Sequence, residues 1–283
     1  MSESTSYIYY IDGEFVRAED AQVPARDLAL LRGYGVFDYM RTYGGKVFRL
    51  DDHIARLERS AEMVGLDMPL SHTAMCALIN ELLARNGRPE SGVRVVLTGG
   101  TSADSVTPAE GPRLVVFAEP IHVYPASCYA EGVRVITFRD ERFLPEAKTI
   151  IYAPALLALR RAKAQGALEA IHVDRRGRAL EATTSNLFAF VGGALVTPGA
   201  DVLPGVTRQV VLELAEGAFP VEVRDLTLDE LLAADEAFIT ASNKEVMPVV
   251  AVDEAVIGEG TPGENTRAMM RLFRAYVAGY STT

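Results

Sequence analysis

Two neighbouring blocks decide how this chain is read: Ala179-Leu-Glu-Ala-Thr-Thr-Ser-Asn-Leu-Phe188 and Val202-Leu-Pro-Gly-Val-Thr-Arg-Gln-Val210. In the first, Glu181 stands just ahead of an apolar strand. A carboxylate is costly to bury there unless a cation meets it. In the second, the Pro204-Gly205 turn opens a helix. Such an N-terminus offers the free backbone N–H groups of Val206 and Thr207, with a threonine hydroxyl beside them, and this arrangement suits a phosphate. Taken alone, a plain helix cap explains the same residues. Working outward, Lys148 lies upstream in Arg142-Phe-Leu-Pro-Glu-Ala-Lys-Thr-Ile-Ile-Tyr152, and Thr240-Ala-Ser-Asn243 follows a strand downstream, where Ser242 faces the same anion. Lysine becomes a nucleophile when burial or neighbours favour its neutral form. Arg56 lies off the apolar stripe of its helix, formed by Ile54, Leu57, Ala61 and Val64, and so is free to turn into a cleft. A solvated lysine and a solvated helix face remain the readings of Lys148 and Arg56 taken singly.

Composition bounds the function. The 283 residues are 49% hydrophobic and 23% charged, an ordinary globular balance with enough apolar material for a core. The net charge of −10 excludes non-specific nucleic-acid binding, which needs clustered cations, but allows one local basic pocket. Cys76 and Cys128 form no CxxC pattern, and His53, His72, His122 and His172 show no metal-ligand spacing, so no metal is expected. The N-terminus lacks a basic region followed by an apolar stretch, and apolar runs break early. The expectation is a cytoplasmic protein with no membrane contact.

Short strands and helices alternate along the chain. Hairpins are expected at Tyr7–Ile11 with Glu14–Arg17 and at Val36–Tyr43 with Lys46–Leu50, each across a Gly turn. Helices are expected after Asp51-Asp52, over Ser71–Arg85, over Pro154–Gln165, after Gly205 and from Glu264; strands are expected at Val93–Thr98, Arg113–Ala118, Val133–Phe138, Ala170–Val173, Leu187–Val191 and Ala237–Ala241. The aperiodic stretch 119–131, with Pro120 and Pro125, reads as a linker between a small α+β domain, 1–118, and a larger one, 132–283. A site is expected at their junction.

In order and spacing, Lys148, the Glu181–Asn186 block, the Leu203–Arg208 block and Thr240–Asn243 together resemble the fold-type IV pyridoxal-phosphate enzymes, the class IV aminotransferases. The resemblance implies a two-domain α+β fold, pyridoxal 5'-phosphate as cofactor, and a homodimer whose pocket is completed by a loop of the partner. It implies that Lys148 holds the cofactor as a Schiff base and shuttles the substrate's proton. It further implies that Glu181 keeps the pyridine nitrogen protonated, that Arg56, Val206, Thr207 and Ser242 hold the phosphate, and that Tyr152 bonds the phenolic oxygen. Asn186 is expected to support the turn carrying Glu181. Phe37, Tyr39, Arg41, Arg94 and Asn243 are the expected substrate-side residues.

This chain departs from the D-amino-acid enzymes in the loop Thr98-Gly-Gly-Thr-Ser-Ala-Asp-Ser105, which has neither the arginine nor the histidine found there, and where Asp104 repels a carboxylate. Arg94 and Arg41 are the strand-borne substitutes, and Tyr39 narrows a spot that is small in the relatives. Ile151 also departs from the branched-chain pattern. The expected reaction moves an amino group between a branched-chain or D-type α-amino acid and a 2-oxo acid such as 2-oxoglutarate or pyruvate, through pyridoxamine phosphate. An R-selective amine transaminase, a 4-amino-4-deoxychorismate lyase and a non-catalytic binding protein on the same fold are the alternatives.

Overall fold

Residues 7–109 and 111–282 are described by a computed structural model. The chain divides into two compact units: Met1–His122 with Ala147–Ile151 and Tyr280–Thr283, and Val123–Glu146 with Tyr152–Gly279. The segment carrying Lys148 therefore belongs to the first unit, although the residues on both sides of it belong to the second. Among the described residues, no helix is long and apolar enough to cross a membrane.

The first unit contains strands β1 (Ile8–Ile11), β2 (Glu14–Arg17), β3 (Gly35–Tyr43), β4 (Lys46–Val47), β5 (Gly92–Thr98) and β6 (Arg113–Glu119), with helices α1 (Leu28–Arg32), α2 (Leu50–Met63) and α3 (His72–Asn86). Its sheet runs β2-β1-β6-β5-β3-β4 and is antiparallel at every pairing. Alternation assigns the two faces. Val93, Val95 and Leu97 of β5, Val116 and Ala118 of β6, and Val36 and Met40 of β3 pack against Ile54, Leu57 and Ala61 of α2 and Met75, Ile79 and Leu82 of α3. The helical stripe read from sequence is thus the buried one. The same alternation sends Phe37, Tyr39, Arg41 and Arg94 to the opposite face, and Asp38 to the helix side.

The second unit contains α4 (Ser127–Ala130), β7 (Val133–Arg139), α5 (Ala153–Ala164), β8 (Glu169–Val173), β9 (Ala179–Ala182), β10 (Asn186–Val191), β11 (Ala194–Thr197), α6 (Val206–Ala215), β12 (Val221–Val223), α7 (Leu228–Leu232), β13 (Glu236–Ala241), β14 (Glu245–Val252) and β15 (Ala255–Val256); α8 (Glu264–Thr282) closes the chain. The sheet order is β12-β11-β10-β13-β14-β7-β8-β9. β9 also meets β10, at the single pair Asn186↔Glu181, so six strands close into a ring at that point. Ile171, Leu187, Ala189, Ile239, Met247 and Val249 are among the residues that fill one side. On β10 and β13, Phe188 and Phe238 stack at 4.9 Å and 9°. The stretch read as an aperiodic linker holds the short helix α4.

Two buried histidines make this fold sensitive to acid. Burial pushes the His53 imidazole below its ordinary value, against the pull of Asp38, and does the same to His172, against Asp140. The unfolded chain takes up these protons at about pH 6.5, whereas the folded one resists them. Below that pH the unfolded state binds more protons, so stability falls as pH falls. The urea midpoint is expected to be lower at pH 5.5 than at 7.5. His172→Leu should shrink the difference, because both ring nitrogens of His172 are buried without a hydrogen-bond partner. A midpoint unchanged between the two pH values in the unaltered protein would contradict the account.

Candidate active site

In the first unit, the backbone of Lys148 is fixed from two sides. Its carbonyl accepts from Phe37 N–H at 2.9 Å, and its own N–H donates to Ser60 Oγ on α2 at 3.1 Å. Thr149 bridges Val36, and Ile150 N–H donates to Gly35 O at 3.1 Å. The segment thus lies along the first residues of β3. Its amine stands 4.8 Å from the centre of the Phe37 ring. Gly35 permits close approach on both sides, since a Cβ there would meet Ile150 Cδ1 of this segment at 3.0 Å and Leu97 O of β5 at 2.6 Å.

Phe37, Tyr39 and Arg94 form one group on the face away from the helices. The Arg94 guanidinium lies 5.2 Å from the Phe37 ring and 5.4 Å from the Tyr39 ring. Tyr39 reaches over Gly92, where a Cβ would come within 2.5 Å of its hydroxyl. Arg41 sits further along β3. It stacks on Tyr43 at 3.9 Å and pairs with Glu90 at 3.5 Å.

Arg56 is buried, and Asp38 grips it with two parallel bonds, from Nε and from Nη2, each of 2.8 Å. His53 Nδ1 adds a contact to Asp38 at 2.7 Å. Burial alone would raise the Asp38 carboxyl, but Arg56 and His53 beside it hold it well below the usual carboxylate range. Asp38 is thus a carboxylate that fixes the orientation of the Arg56 guanidinium. Sequence reading passed over it, although its signal was present: an acid at the inward parity of Val36-Phe-Asp-Tyr-Met40 needs a partner.

The second unit supplies a separate set. Glu181, on β9, is buried. Leu203 N–H donates to its Oε2 at 3.0 Å, the Asn186 amide reaches the same oxygen at 3.3 Å, and the Arg142 guanidinium bonds Oε1. Arg142 is the cation that the sequence demands but does not identify. Asn186 also donates to Leu203 O at 2.8 Å, so it ties the carboxylate to the turn ahead of α6. Gly205 makes room for it, since a Cβ there would fall 1.9 Å from Asn186 Oδ1.

Helix α6 then begins at Val206 and Thr207 with no side-chain cap and no acid in its first turn. Its leading N–H groups are open to an anion. On β13, against which α6 packs, the Thr240 hydroxyl is buried without a hydrogen-bond partner. Ser242 and Asn243 lie in the turn from β13 to β14, and Tyr152 immediately precedes α5 without a side-chain capping bond. Beneath that turn, Lys244 and Glu169 form a buried ion pair at 2.7 Å.

These features fit pyridoxal phosphate. A phosphate suits an uncapped helix start, an orphaned hydroxyl lies on the strand against which that helix packs, and a protonated ring nitrogen suits a buried carboxylate held by three donors. Known proteins point the same way. A family model described as amino-transferase class IV matches residues 35–252. A putative branched-chain-amino-acid aminotransferase of Methanocaldococcus jannaschii is 35% identical over 273 residues, 94% of each chain. A D-alanine aminotransferase of Staphylococcus epidermidis is 31% identical over 279 residues, 96% of this chain and 98% of that one. The crystal structure of the Escherichia coli branched-chain amino acid aminotransferase superposes with a TM-score of 0.90 at 28% identity, over 95% of this chain and 94% of the other.

Proposed function

Because this chain belongs to the class IV aminotransferases, which work with pyridoxal phosphate, we propose that it moves the amino group of a branched-chain or D-type α-amino acid to a 2-oxo acid such as 2-oxoglutarate or pyruvate. The observation that carries this reading is the Lys148 amine held beside Phe37 on a backbone fixed at both polar groups. The cofactor, when bound, supplies a carbonyl carbon for the amino group and a ring that withdraws electrons.

The chain's own residues then divide the work. Lys148 anchors the cofactor and moves the proton at the substrate's α-carbon. Glu181, fixed by Leu203 N–H, Asn186 and Arg142, holds a proton on the ring nitrogen. Arg56, aimed by Asp38, holds the phosphate together with Val206, Thr207 and Ser242, and the Thr240 hydroxyl joins that group. Tyr152 bonds the phenolic oxygen. Phe37 and Tyr39 wall the substrate, with Asn243 at its edge.

Carboxylate recognition falls to Arg94. An arginine offers a planar, permanently charged fork for a carboxylate. Arg94 lies between two aromatic rings, whereas Arg41 already faces Glu90. Arg94→Ala is expected to raise KM for 2-oxoglutarate by roughly ten- to a hundred-fold, the equivalent of one lost charge-assisted bond. The half-reaction with an apolar amino acid should change less, and Arg41→Ala should have the smaller effect of the two. Single-turnover kinetics following cofactor colour, over L- and D-amino acids, measures each half-reaction. Normal handling of 2-oxoglutarate by both variants would remove the arginines from the site and favour an amine transaminase.

A further inference from the structure

A second cluster of chemistry-bearing side chains lies outside this machinery, on the first turns of α2 and α3. His72 and Cys76 stand four residues apart on α3, which places both on one helix face. Asp51 reaches them from α2. Asp51 Oδ1 is 3.2 Å from His72 Nε2 and 3.7 Å from Cys76 Sγ, and one ligand atom from each of the three residues lies within 4.8 Å of the others.

We propose that Asp51, His72 and Cys76 form a zinc site, with a water molecule as the fourth ligand. Zinc bonds of about 2.0 Å to oxygen and nitrogen and about 2.3 Å to sulfur, in tetrahedral geometry, separate ligand atoms by roughly 3.3 to 3.5 Å. The two Asp51 separations differ from that by only a few tenths of an ångström. The donor types agree as well, since zinc accepts thiolate, imidazole and carboxylate together.

A further contact orients the imidazole. His72 Nδ1 meets Glu58 Oε2 at 3.2 Å, which leaves Nε2 turned to the other ligands. Zinc-bound histidines commonly give their other nitrogen to a carboxylate in this way. On binding, the Cys76 S–H bond breaks, sulfur forms the bond to zinc, and the proton leaves to solvent, so the charge balances. The result is a clamp between two helices of one unit. Spacing along the chain does not reveal it, because the third ligand comes from a different helix.

Cys128 supplies an internal control, being the other free thiol and lying in the second unit. The test alkylates the cofactor-loaded protein with iodoacetamide, with and without one equivalent of zinc chloride, and reads each cysteine by mass spectrometry. Zinc is expected to slow modification of Cys76 at least ten-fold and to leave Cys128 unchanged. His72→Ala and Asp51→Asn should each abolish the protection. Both residues lie at the surface, so the variants keep their fold. Equal rates at Cys76 with and without zinc would overturn the proposal, and so would full protection persisting in His72→Ala.

Discussion

Lys148→Ala should fold like the unaltered chain and yet complete no measurable turnover. Folding should be preserved because two bonds that fix this residue come from its backbone: Phe37 N–H donates to its carbonyl, and its N–H donates to Ser60 Oγ. Alanine keeps both. The side chain contributes a cation–ring contact with Phe37 worth about 0.5–1 kcal/mol at a partly exposed site. In the proposed function, the chemistry depends on the amine itself. Removing both the anchoring nucleophile and the positioned base should lower the rate by at least roughly a thousand-fold, since a placed acid–base group alone contributes roughly a hundred- to ten-thousand-fold. Borohydride reduction followed by mass spectrometry should find the pyridoxyl label on Lys148. A label on Lys46, Lys163 or Lys244, or a variant that still turns over repeatedly, would remove Lys148 from this role.

The largest loss of stability is expected from breaking the pair Glu169–Lys244. Both side chains are almost fully buried, at 2% and 3% exposure, and their charges meet at 2.7 Å. Burial opposes each charge, yet the pairing prevails: the Lys244 amine is raised and the Glu169 carboxyl lowered, so the two shifts agree that both are ionised. Glu169 also accepts from the Thr184 hydroxyl at 2.5 Å, the Thr184 N–H at 3.2 Å and the Ser185 hydroxyl at 3.1 Å, and Lys244 donates to Thr184 Oγ1 at 2.8 Å. The pair therefore braces the turn between Glu181 and Asn186 against the turn holding Ser242.

Lys244→Met leaves Glu169 charged and buried, which should cost about 3–5 kcal/mol in urea unfolding. Combining it with Glu169→Gln should recover part of that loss, because an apolar or neutral replacement of both partners removes the stranded charge. Lys244→Met should also release cofactor faster, since both braced turns face the ring and its phosphate in the proposed site. An unchanged urea midpoint for Lys244→Met would show that water reaches the carboxylate, and would refute the buried pair.

Legibility in the sequence followed the strength of local signals. The amphipathic stripe of α2 and the alternation of β5 were plain, because each element buries one face more deeply than the other. β14 was not, for a physical reason. It carries Pro248 in mid-strand yet lies between β13 and β7, and a proline, which donates no hydrogen bond, argues against a central strand. A register shift between Val249 and Ala251 accommodates the irregular strand. The short strands β9, β11 and β12 are too brief to display a period.

The candidate site divided in the same way. Glu181, Lys148 and the Leu203–Arg208 block stood out by residue type and order. Their partners did not. Asp38, Arg142 and Thr240 matter through what folding brings beside them, and Glu169 and Lys244 are 75 positions apart in a sequence that pairs them only in space.

The placement of Ala147–Ile151 bears on how such a protein can be taken apart. No single cut in the gene separates the two units. A fragment ending near residue 122 would lack the segment that Thr149 bridges to Val36, leaving that edge of β3 bare to other chains. A chimera spliced between the halves would take its lysine from one parent and the strand that grips it from the other. Inheritance in this molecule is therefore interleaved: recombination preserves the lysine's setting only when both crossovers spare residues 147–151 and their seat along Gly35–Phe37.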